Sequence, residues 1–202
     1  DVAHARRAVS SRAAENLFWM GRYSERIDND VRLAGTALTW LTGDLDNPEA
    51  LFDAMLGLCV RSGLLPATLP RSLRVFEHTL VAGLSARDTE RGFDRNLASL
   101  AFAAGQIRDR LSPEHWQLIM SAGARYHRLI AGDFVDDATL PPRDEEVPPR
   151  SAADVLRALR RLSRQVLAVT GAQTDHMTRD DGWRLLAIGR HTERLATLAC
   201  ML

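Results

Sequence analysis

An all-α bundle of about seven helices is the fold this sequence predicts, on three observations. Apolar residues recur at alternating steps of three and four through every long segment, the spacing that gives a helix one buried stripe. No stretch sustains the period-two alternation of a half-buried strand. The periodic segments are separated by glycine and proline, and two of them open on the start signals Asn47-Pro48-Glu49 and Ser112-Pro113-Glu114. Each of these supplies a capping side chain, a proline in the first turn and an acid at the positive helix end.

The first helix spans about residues 11–42, where Leu17, Met20, Ser24, Ile27, Val31, Ala34, Leu38 and Leu41 form a lengthwise seam, and Gly43 stops it. Residues 1–10, rich in Ala and Arg, read as a tether or a preliminary helical turn. The second helix runs from Asn47 to Ser62-Gly63 on a stripe of Leu51, Met55, Leu58 and Cys59. After a loop with two prolines, a third occupies about 71–81 with Leu73, Phe76 and Leu80 inward, and 83–91 is a polar break. A fourth, about 92–111, carries Phe93, Leu97, Leu100, Ala104 and Ile107, and a fifth follows to about 131. Residues 133–150 hold Asp136, Asp137, Asp144, Glu145, Glu146 and half of all the prolines, the composition of an exposed acidic loop. The sixth helix, about 151–169, sets Val155, Leu159, Leu162, Val166 and Val169 against Arg157, Arg160, Arg161 and Arg164. A turn at 171–180 leads to Asp181, expected to cap a last helix that starts at Gly182-Trp183.

At 202 residues the chain suits a single domain, 1–202. Its 26 basic and 26 acidic residues cancel, which argues against bulk binding of nucleic acid or anionic membrane. Every basic residue is arginine, so no lysine is present to act as a nucleophile or Schiff-base former. Cys59 and Cys200 are too few for a disulfide framework or a zinc site and fit a reducing, cytoplasmic setting. No signal peptide and no apolar run near the ~18 residues of a membrane span are visible. The chain opens on Asp1 and its last helical pattern is still running at Leu202, so it reads as a C-terminally incomplete piece of a longer protein.

The chemistry concentrates in a hexapeptide written twice. Gly21-Arg22-Tyr23-Ser24-Glu25-Arg26 superposes on Gly189-Arg190-His191-Thr192-Glu193-Arg194, a shared G-R-x-x-E-R. The seams superpose with it: Leu185, Ile188, Thr192, Leu195, Ala199 and Leu202 take the places of Leu17, Met20, Ser24, Ile27, Val31 and Ala34. That reads as an internal duplication, with the first and last helices as a related central pair. In each copy arginine, glutamate and arginine converge on one patch of helix, and the glycine admits a close neighbour. Four guanidinium groups and two carboxylates are then expected to meet in one hollow of the bundle interior.

Two roles are open to such a cluster. It can be purely structural, Arg22, Glu25 and Arg26 pairing across to Glu193, Arg190 and Arg194 to fix helix register. It can equally present its excess positive charge to a carboxylate or phosphate, for which forked guanidinium groups are suited. No metal site is expected, because the Glu-x-x-His pair of a di-iron bundle is absent and His176 and His191 suffice for no ligand set. No cofactor-binding glycine loop and no Ser/His/Asp or Cys/His arrangement emerges. The arginine stripe of the sixth helix reads as a solvated face.

The stretch Ser11-Arg12-Ala13-Ala14-Glu15-Asn16-Leu17-Phe18-Trp19-Met20-Gly21-Arg22-Tyr23-Ser24-Glu25-Arg26 resembles the opening motif of the bacterial alpha-E domain family, helical proteins named for their Glu-Arg motif. Arg108-Asp109-Arg110-Leu111-Ser112-Pro113-Glu114-His115-Trp116 is similar to its central motif, and Met177-Thr178-Arg179 through Gly182-Trp183 to Glu193-Arg194 to its later one. The resemblance implies association with a circularly permuted ATP-grasp protein, fused ahead of the domain or encoded beside it, and with transglutaminase-like peptidases, in groupings held to make or attach peptide-like amides. It leaves the role of the domain itself open.

Together these readings favour a non-catalytic helical module of an ATP-grasp peptide or amide ligase system, with a peptide or a small anion as its ligand. The binding candidates are Arg22, Glu25, Arg26, Arg190, Glu193 and Arg194, with Trp19 beside the first motif and Arg179 from the later family motif. The alternative is an enzyme of peptide or amide formation with Glu25 or Glu193 as general base.

Overall fold

The computed structural model describes residues 9–43, 48–88, 92–131, 150–175 and 177–201. They form α1 (Ser11–Thr42), α2 (Pro48–Arg61), α3 (Leu73–Ser85), α4 (Gly92–Gly105), a 3-10 turn at Arg108–Arg110, α5 (Pro113–Ala131), α6 (Ala152–Asp175) and α7 (Asp181–Met201), with no strand among the described residues. The fold is the expected all-α bundle. The acidic segment 133–150 lies outside the described residues except for Arg150, whose guanidinium donates to the Ala131 carbonyl at 3.1 Å.

The long helix α1 is the axis on which α4, α6 and α7 pack. Its seam is inward as the spacing requires: Leu17, Met20, Ser24, Ile27, Val31, Ala34 and Leu38 are all buried. The Ser10 hydroxyl accepts from the Ala13 amide at 3.3 Å and starts the helix. At its far end Trp40 packs against Phe52 of α2 and Phe76 of α3, with ring centroids 6.5 and 6.1 Å away. On the other flank Phe93 of α4 meets Tyr126 of α5 edge to face, and the Tyr126 hydroxyl donates to the Leu84 carbonyl at 3.0 Å, tying α5 to α3.

Several boundaries differ from the sequence reading. The third helix continues through Gly83 to Ser85, because Leu84 at 2% exposure belongs to the core. The fourth closes at Gly105 and passes into the 3-10 turn. The sixth continues past Gly171 to Asp175: Val169, Ala172 and Gln173 are buried, and their packing outweighs the roughly 1 kcal/mol a mid-helix glycine costs. Asp180, not Asp181, caps the last helix. Its carboxylate accepts from the Trp183 amide at 3.0 Å and from Arg110 at 2.9 Å, while Asp181 is the first helical residue.

α1 and α7 lie side by side and run parallel, since their contacts climb together: Leu17 lies against Gly182, Gly21 against Leu186, Arg26 against Glu193 and Asn29 against Thr197. The approach is close enough for backbone to touch backbone. A Cβ built on Gly21 would sit 2.2 Å from the Leu186 carbonyl oxygen, and one on Gly189 would sit 2.0 Å from that of Phe18. The place expected for the pair holds for α1 only. Ile188 is 53% and Leu195 67% exposed, so the stripe on α7 that superposes on the buried seam of α1 is not core among the described residues. α7 turns Gly182, Leu186, Gly189 and Glu193 inward instead, because the two glycines permit contact only on that face.

Candidate functional site

The glycine contact sets the level at which the Glu-Arg pairs meet. One turn above it, Glu193 accepts from Arg22 Nε at 2.7 Å and from Arg26 Nε and Nη2 at 2.7 and 3.0 Å. Glu25 answers with the same atoms of the other copy: Arg194 Nε and Nη2 donate at 2.8 and 3.1 Å and Arg190 Nε at 3.4 Å. Both carboxylates are buried and their arginines are only partly covered. The six residues therefore pair across the helices, as two triads, each of one acid and two bases.

The electrostatics of Glu193 follow from that pairing. Burial works to raise the Glu193 carboxyl, but hydrogen bonds from Arg26 and Arg22 outweigh it and hold the acid below its ordinary range. The hydrogen bond to Glu193 raises Arg26 in turn, and the one to Glu25 raises Arg194. An acid held ionised by two forked cations is a poor proton acceptor. Glu193 is therefore held as an anchor for the two arginines.

One triad opens on a cavity. A space of about 650 Å³ lies between α1, α7, the end of α2 and the start of α4. Arg22, Arg26 and Glu193 form part of its wall together with Trp19, Asp30 and Asn96. Trp19 stacks on Tyr23 at 5.5 Å and carries the Arg22 guanidinium over its ring at 5.3 Å. Arg61, on the same wall, has no hydrogen-bond or ion-pair partner among the described residues. Glu25, Arg190 and Arg194 do not line this space, so the six charges do not share the one hollow expected of them. Arg179 is not brought to the cluster at all: it is exposed and stacks on Trp183 at 5.5 Å.

Asp30 is the residue that pattern reading passed over. It is 4% exposed, and its Oδ2 accepts from Asn96 Nδ2 at 2.9 Å. Burial pushes its carboxyl up to about 7, with the nearby Glu193 charge adding to the rise and the Asn96 hydrogen bond and Arg26 opposing it. One sequence signal pointed to it: Asp30 follows Ile27 by three and precedes Ala34 by four, so it shares their side of the helix. The thiol of Cys59, just behind, is pushed up to about 12 by burial and by Asp30, and is no nucleophile. Among the described residues no group of three or more His, Cys, Asp or Glu side chains is gathered to hold a metal ion. No described helix is long and apolar enough to cross a membrane.

Three mycobacterial proteins resemble the chain, two from Mycobacterium tuberculosis strains CDC 1551 and H37Rv and one from Mycobacterium bovis, each described as uncharacterised. They are 28% identical to it over 212 residues, which cover 96% of this chain and 22% of each relative. The chain thus spans about one fifth of the length of the curated relatives it matches. No solved structure gives a significant match. A family model described as a predicted alpha-helical domain with a conserved ER motif matches residues 9–202, a span that includes Glu25-Arg26 in α1 and Glu193-Arg194 in α7. On that match the chain belongs to the alpha-E family.

Proposed function

We propose that this chain is a non-catalytic helical module that works beside an ATP-grasp peptide or amide ligase and receives the anionic end of that system's substrate, a carboxylate or a phosphate, in the cavity next to α1. One observation carries the reading. Arg22 and Arg26 are fixed by Glu193 with their guanidinium groups at the cavity wall, and Arg61, exposed and without a pair among the described residues, stands on the same wall. Four arginines, Arg22, Arg26, Arg61 and Arg95, against Glu193 and Asp30 leave excess positive charge in a partly enclosed space, where forked donors bind anions more strongly than in open water. The ligase as partner is supported by the motif resemblance, with a transglutaminase-like peptidase as a further associate. Duplication of one ancestral helix accounts for the matching atoms of the two triads.

A catalytic reading has one observation in its favour, and it concerns Asp30, not Glu25 or Glu193. A buried carboxyl that titrates near neutrality suits proton transfer. No lysine is present and burial raises the Cys59 thiol, so neither of these supplies a nucleophile there.

Two measurements test the proposal. Inorganic phosphate, titrated calorimetrically into the chain, is expected to bind, and Arg22→Met to weaken it about tenfold, close to the ~1.5 kcal/mol of one hydrogen bond to a charged group. Co-purification with an ATP-grasp protein is expected when the two are co-expressed. Unchanged phosphate binding in Arg22→Met would remove the anion site from this cavity, and failure to co-purify would remove the ligase partner.

A further inference from the structure

The arginines account for one end of the cavity and leave Asp30 unexplained. Among the described residues it accepts one hydrogen bond, from Asn96 to Oδ2 at 2.9 Å. Arg26, one turn before it on α1, is committed through Nε and Nη2 to Glu193. Asp30 is 4% exposed on a cavity wall, and a carboxylate so buried is stabilised by any further donor that an occupant of the cavity brings. Glu193 faces the same space from α7, and Cys59 approaches from α2 as a neutral thiol. The other arginines on that wall, Arg61 and Arg95, are both exposed.

We propose that the cavity takes a molecule charged oppositely at its two ends, an acidic group against Arg22 and Arg26 and a protonated amine against Asp30, as a short peptide with both termini free presents. This rests on the reading of the cavity as an anion receptor and adds the second pole to it. The helix sets the spacing. Eight residues separate Arg22 from Asp30, about 12 Å along the axis at a rise of 1.5 Å per residue. Arg26, four residues from Asp30, stands about 6 Å along the axis, so the acid pole extends from about 6 to 12 Å and a single amino acid does not reach its far end. An extended peptide advances about 3.3–3.6 Å per residue, so three or four residues reach from one pole to the other. A cavity of about 650 Å³ is of the size that encloses ligands of this class.

The test is calorimetric titration of the full chain at pH 7.5 with trialanine, N-acetyl-trialanine, trialanine amide and alanine. Trialanine is expected to bind, with acetylation of the amine weakening it at least tenfold and free alanine weaker by a similar factor. Asp30→Asn, nearly isosteric and checked for cooperative unfolding, is expected to abolish the difference between the free and acetylated peptides, while phosphate, relieved of a nearby negative charge, binds no more weakly than to the wild type. If the acetylated peptide binds as tightly as the free one, the amine pole is wrong and the anion site stands. If the amide binds as tightly as the acid, the anion site is wrong as well. Failure of all the peptides while phosphate binds overturns the two-pole ligand alone.

Discussion

Gly21→Ala and Gly189→Ala are each expected to lower the free energy of unfolding by about 3 kcal/mol, at the upper end of what overpacking costs. The new methyl groups would lie 2.2 and 2.0 Å from the carbonyl oxygens of Leu186 and Phe18, and both neighbours are backbone, which cannot rotate aside. The helices would have to separate, which would also lengthen the hydrogen bonds of both triads. Gly35→Ala in the same helix is the control, because nothing lies within 4 Å of its Cβ position and alanine is the better helix former by ~1 kcal/mol. Denaturant unfolding should therefore show two losses and one gain. A loss below about 0.5 kcal/mol at both contact glycines, within the range of ordinary surface changes, would mean that α1 and α7 do not touch as described.

The second large effect is on pH dependence. Burial raises the Asp30 carboxyl from 3.8 to about 7, so between those values the folded chain holds a proton that the unfolded chain has released. Stability then falls as pH rises through that window and levels off above it, by on the order of 4 kcal/mol in all. Glu193 acts the other way and elsewhere: its carboxyl lies below the ordinary value, and its contribution is lost only as pH falls into the acid range. The comparison that isolates Asp30 is wild type against Asp30→Asn, whose stability curves should converge near pH 4 and separate towards pH 7, the variant being the more stable. Parallel curves would show that Asp30 titrates like an exposed acid.

What could be read from sequence follows from which features are local. The α1 seam was legible because each member stands three or four residues from the next, and all seven from Leu17 to Leu38 are buried. The pairing of Glu25 with Arg194 and of Glu193 with Arg26 was legible because the hexapeptide occurs twice and its glycines allow contact. The surroundings of the second copy were not. The stripe of Ile188 and Leu195 repeats that of Met20 and Ile27, but α4 and α6 cover only the α1 copy, and a repeated sequence does not carry its neighbours with it. The cavity was also out of reach, because Asp30, Arg61 and Asn96 come from three helices and share no sequence pattern. The division of the six charges into two triads depends on the helices running parallel, which the order of residues along the chain does not fix.

A double-mutant cycle between Arg26→Met and Glu193→Gln asks whether the two far-separated segments pair in this way. The residues stand 167 positions apart, so they can couple only by contact in the folded chain. Arg26 keeps about a third of its side chain in water, so screening limits the expected coupling to about 1 kcal/mol. That figure is well above the ~0.3–0.5 kcal/mol within which independent sites add. Coupling of that size would support the crossed pairing, and simple additivity of the two losses would contradict it.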